Sequence, residues 1–191
     1  MKKIMLMKLV LIFSIITFTS CTDSDENVNF NQNDLLGEWK LTNYTYNGNF
    51  ELSGGPLTIP KTNFSGEGIN MNLTTVFSEN PNKANASGSY DIKSSSTSNG
   101  QTNIETFKVE NINSEVDWEL NNNILTIKNG ELIKTNLPDQ INSTVNLGDA
   151  DFEVIELTPN SLKLRKTVDK KFSQGGISVS TTINIAVDYT K

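Results

Sequence analysis

At 191 residues and a formal net charge of −6, the chain is long enough for one domain with a substantial core and too acidic to present the basic face that nucleic acid requires. Histidine is absent, which removes the commonest general base, the commonest zinc ligand and every Ser-His or Cys-His nucleophile. The single cysteine, Cys21, excludes an internal disulfide.

The chain opens with Lys2, Lys3 and Lys8, followed by an apolar run from Leu9 to Phe18. A ten-residue helix spans about 15 Å, roughly half a bilayer core, so the run reads as a signal segment and not as a permanent span. Thr19, Ser20 and Cys21 come next, then the acidic stretch Thr22-Asp23-Ser24-Asp25-Glu26. This arrangement resembles a bacterial lipoprotein signal. The resemblance implies removal of residues 1–20 and lipidation of Cys21, so that acyl chains tie the protein to an outer membrane. Losing three lysines takes the formal charge from −6 to −9. Residues 21–34 read as an acidic tether, and their acidic residues resemble the surface-export signal of Bacteroidetes lipoproteins. Asp23, Asp25, Asn27, Asn29, Asn31 and Asp34 fall at calcium-loop spacing, yet Val28 stands where the loop needs Gly and Asp34 where it needs a bidentate Glu. No metal site and no cofactor are expected.

From residue 35 to 191 the side chains alternate almost throughout, as half-buried strands require. Strands are predicted over Glu38–Tyr46, Ile69–Phe77, Gly88–Lys93 and Ile104–Ile112. Two hairpins come after them: Val116–Leu120 with Ile124–Lys128 around Asn121-Asn122-Asn123, and Phe152–Leu157 with Leu162–Val168 around Thr158-Pro159-Asn160-Ser161. In the last strand Ile177, Val179, Thr181, Ile183, Ile185, Val187 and Tyr189 share one face. Leu132–Ile141 is the one helical candidate, and Pro138 weakens it. Residues 47–66, 94–103 and 134–150 read as long loops, the middle one a mobile, low-complexity segment. Abundant asparagine fits a chain with many reversals. Eight or nine antiparallel strands in sequence order predict an all-β meander that closes into a single up-and-down barrel, because closure removes the edges.

Leu36-Gly37-Glu38-Trp39-Lys40-Leu41 resembles the Gly-x-Trp first strand of lipocalins. With the lipidation signal and the segment Ile155–Leu164, the chain resembles the lipocalin-like domain lipoproteins of the Bacteroidetes; the Thr-Asp-Tyr turn usual in lipocalins is missing. The resemblance implies a lipocalin-like barrel over 35–191 in which Gly37, Trp39 and Arg165 close the base, Arg165 covering the Trp39 indole. It also implies a small apolar or amphipathic ligand, with Met71, Leu73, Phe77, Phe107, Val109, Ile183 and Ile185 as candidate lining residues. Each of these residues also suits a plain core. The alternative is a cell-surface interaction module with a filled barrel and a protein or glycan partner, to which Tyr44, Tyr46, Phe50 and Trp118 would offer an aromatic platform. An enzyme is not expected. Asp149 and Asp151 lie in a loop, and Glu153 and Glu156, three apart on a strand, should face opposite ways.

Overall fold

In the computed structural model, which describes residues 30–54, 59–134 and 149–191, the alternating segments form eight strands. They are β1 (Gly37–Ser53), β2 (Ile59–Ser78), β3 (Lys83–Ser98), β4 (Gln101–Asn121), β5 (Ile124–Lys128), β6 (Ala150–Thr158), β7 (Ser161–Gln174) and β8 (Ile177–Thr190), preceded by a single helical turn, α1 (Gln32–Leu35). Each strand pairs antiparallel with the next, and β8 returns to β1, from Lys40 opposite Thr190 to Ser53 opposite Ser178. The result is a closed all-β barrel with no free edge at its base.

Closing long strands into a barrel demands strong coiling, which bulges supply. Asn70 and Asn111 sit at breaks in the β2–β3 and β3–β4 registers with φ of 52° and 55°. Among the described residues every non-glycine with positive φ is an asparagine: Asn70, Asn80, Asn99, Asn111, Asn122 and Asn129. Asparagine reaches this region more readily than other side-chain-bearing residues. Its abundance is therefore conformational at these sites. The Asn111 bulge also explains why two predicted strands, 104–112 and 116–120, are one: β4 bends there without ending.

Two predicted loops are strands. Residues 47–53 extend β1, residues 59–66 open β2, and residues 94–98 pair with 101–105 across the turn Asn99-Gly100. Asn99 and Gly100 both have positive φ (52° and 75°), as a two-residue hairpin turn requires. The 94–105 hairpin lacks apolar alternation because it stands at the rim, where backbone pairing holds it; over 47–53 and 59–66 the inward row is sparse, with Phe50 and Phe64 its buried side chains. Residues 132–134 are not helical; the rest of the helical candidate, residues 135–148 of the third loop, and the signal segment with Cys21 lie outside the described residues.

Candidate functional site

One end of the barrel is a packed floor. Trp39 is fully buried, and its indole N–H donates to the Leu35 carbonyl at 2.7 Å, which ties α1 across the base. Phe77 meets Trp118 edge-on at 6.0 Å, and the Trp118 indole N–H is shared between the carbonyls of Ser78 and Lys83, each at 3.0 Å. The cation over Trp39 is Lys191, its Nζ 4.5 Å from the ring centroid while it donates to the carbonyls of Asp34 and Leu36 at 2.9 Å. Arg165 does not cover Trp39. Leu164 and Lys166 take the inward register of β7, so Arg165 points outward and pairs with Asp188 at 2.6 Å. The last residue of the chain therefore makes the contact expected of a late-strand arginine. Gly37 adopts φ of 109° where α1 turns into β1.

Toward the other end, the mouth, aromatic rings occupy spaces that inward glycines leave open. A Cβ on Gly48 would run into the Thr182 carbonyl and come within 2.7 Å of the Phe64 ring, and one on Gly66 would run into the Tyr46 ring. Tyr44, Tyr46, Phe64 and Tyr90 form a connected set, with centroids 5.9 to 6.4 Å apart. Tyr90 donates to the Lys134 carbonyl at 2.6 Å, fastening the start of the β5–β6 connection against the interior. Near that contact lies a small, partly open void of about 20 Å³ lined by Tyr44, Ile127, Glu131, Leu132, Ile133, Phe152, Ile185 and Val187. The Tyr44 hydroxyl is buried there without a hydrogen-bond partner. Burial, then the neighbouring Tyr90, Tyr46 and Glu131, holds its pKa well above the ordinary tyrosine value.

Of the predicted lining residues, Ile185 bounds this void. Ile183 is buried beside it on β8, and Phe107 and Val109 stand half-buried on the inward register of β4, opposite Ile92 and Tyr90. Leu73 and Phe77 are buried, Phe77 in the floor against Trp118, and Met71 is half-buried at the β2 bulge. Tyr44, Phe152 and Val187 are lining residues that sequence reasoning missed, because alternation marks an inward side chain without saying at which height in the barrel it sits.

Tyr44, Tyr46, Phe50 and Trp118 are all buried, so they offer no platform to a sugar. Glu153 and Glu156 share the outward face, since a bulge at Ile155 sets them opposite Arg165 and Lys163. Among the described residues no three acidic, His or Cys side chains gather as a metal ion would require. Outside the barrel, two adjoining open grooves of about 380 and 410 Å³ run over β1, β2 and β3, bounded mainly by Asn, Ser and Thr and by the Glu67–Lys93 pair.

A closed antiparallel barrel with a packed floor and inward side chains converging beneath the opposite end defines a lipocalin-like binding domain. A family model described as a lipocalin-like domain matches residues 35–164, and the chain belongs to that family. No curated protein and no solved structure matches the chain. The matched stretch stops within β7; β8, which closes the barrel against β1, lies beyond it.

Proposed function

We propose that this protein is a lipid-anchored outer-membrane lipoprotein whose barrel takes up a small apolar or amphipathic ligand at its mouth. The observation that carries the uptake reading is the small void below the mouth, apolar on most sides and lined by Tyr44, whose buried hydroxyl has no hydrogen-bond partner. At about 20 Å³ it has room for about one water. Uptake therefore parts its walls, and Leu132 and Ile133, which belong to no strand, are the ones that yield. The anchor rests on Cys21 and its flanks. Native mass spectrometry of the full chain isolated from its own cells tests uptake: a co-purifying small molecule is expected, and a persistently empty protein counts against it. Cys21→Ser should release the chain from the membrane fraction, and unchanged fractionation would refute the anchor.

A surface interaction module is the second reading, and the two polar grooves outside the barrel favour it. On that reading, filling the grooves through Ser95→Arg abolishes capture of a protein or glycan partner while leaving any ligand of the barrel in place.

A further inference from the structure

On the inner face of the mouth the side chains of β1, β8 and β7 stand in rows: Tyr46–Ile185–Lys166, Gly48–Ile183–Val168, Phe50–Thr181–Lys170 and Leu52–Val179–Phe172. The alternation that buries Leu162, Leu164 and Val168 on β7 thus also sets two lysines on the inward register, Lys166 half-buried and Lys170 exposed at the mouth. A charge taken partly out of water is unfavourable unless something opposite in sign meets it. The outward cations of this strand are met: Lys163 pairs with Glu156 and Arg165 with Asp188, both at 2.6 Å. The inward ones are not. Among the described residues neither Lys166 nor Lys170 has a carboxylate within ion-pair distance. Lys166 is half-buried; its Nζ sits 5.7 Å above the Phe152 ring and donates to the carbonyl of Asp151 at 3.1 Å. The Asp151 carboxylate itself accepts from Thr126. Phe152 and Ile185, both beside Lys166, line the small void. Above, at the rim, Phe172 and Ile177 remain 55% and 40% exposed.

We infer that the ligand of this mouth is an anionic amphiphile, its acidic head received between Lys166 and Lys170 and its chain running down past Phe152 and Ile185 toward the void. The inference rests on the uptake reading above and narrows it to a ligand class. A neutral ligand would leave the half-buried Lys166 without a counter-charge, and a cationic one would be repelled by both lysines. Burial, with Lys170 adding to it, already holds the Lys166 ammonium below the ordinary lysine range, although Asp151 acts the other way. An anion between the lysines relieves that penalty.

Calorimetric titration of the purified full chain with decanoate, decanol, decylammonium and acetate separates head from chain. Decanoate should bind about tenfold or more tighter than decanol, an electrostatic difference of ordinary size for a partly buried charge pair. Decylammonium and acetate should bind more weakly than decanol. Lys166→Met should bring decanoate to within about threefold of decanol without weakening decanol. Its melting temperature should hold or rise, since a half-buried charge is gone. Lys171→Gln, outward on the same strand, should change nothing, and Lys170→Gln gives a second, more exposed variant should Lys166→Met fail to fold. Equal affinity for decanoate and decanol overturns the inference while leaving uptake standing, as does a preference that survives both inward substitutions. If none of the chain-bearing compounds binds, the uptake reading fails and this one with it.

Discussion

Gly66→Ala adds one methyl group, and the barrel has no room for it. The new Cβ would run into Cε1 and Cζ of Tyr46 and lie 2.6 Å from its hydroxyl oxygen. Gly66 has no positive φ, so the backbone itself accepts alanine, and fewer unfolded conformations would by themselves favour the variant by about 0.4–1 kcal/mol. The ring has little room to retreat. Tyr46 is 1% exposed, faces Ile185 across the β1–β8 ladder, packs against Tyr44 and Phe64 with centroids 6.0 and 6.4 Å away, and bonds Ser94 through its hydroxyl. Overpacking a rigid core costs about 1–3 kcal/mol, and this site belongs at the upper end. For a domain of this size each kcal/mol shifts the melting temperature by about 2–4 °C, so a fall of roughly 6–12 °C is expected in a thermal melt. Tyr46→Leu should lower stability alone by about 2 kcal/mol, yet should absorb most of the Gly66→Ala penalty in the double variant. A change for Gly66→Ala within about 0.5 kcal/mol, or additive behaviour of the pair, would refute the assigned packing.

The floor assignment predicts that Lys191→Ala costs about 1–2 kcal/mol, through one cation–π contact and two lost hydrogen bonds to carbonyls, and perturbs indole fluorescence. Arg165→Ala, which breaks an outward ion pair, should cost under about 1 kcal/mol by denaturant titration; the reverse order would sink the reassignment. Tyr44→Phe should leave stability unchanged or raise it by up to about 2 kcal/mol, because its hydroxyl makes no bond to lose, and a clear loss would show a structural partner. Burial raises the pKa of Tyr44, Tyr90 and Tyr189, so these phenols stay protonated when folded at pH values where the unfolded chain ionises them. Their contribution is complete below pH about 10 and is lost as pH rises beyond it, so tyrosinate absorbance from them should appear together with unfolding. Independent titration of all four tyrosines near pH 10 would contradict this.

Much of the architecture was legible without coordinates. Period-two alternation requires one wet and one buried face, and sequential hairpins leave closure as the simplest cure for edges; both are local facts, and both hold. Local patterning also set Ile183 and Ile185 on one face, and the Gly-x-Trp resemblance put Trp39 in the base. It failed where burial gives no signal. The rim hairpin over 94–105 carries Ser, Thr and Asn on paired backbone, and the bulges at Asn111 and Ile155 reset which way the next residues of each strand face, turning Glu156 to the same side as Glu153. Height in the barrel was illegible too, because alternation assigns a side and no level. Only the closed ladder brings Tyr44, Phe152 and Ile185 to one void, or sets Lys191 instead of Arg165 over Trp39. The inward lysines show the division most plainly: in sequence Lys166 and Lys170 are two charges in a basic run. Alternation with Leu162, Leu164 and Val168 assigns their side; that Lys166 is half-buried over Phe152 with no carboxylate in ion-pair range among the described residues, while Lys170 stays exposed at the mouth, is decided only by how the closed barrel packs β6 against β7.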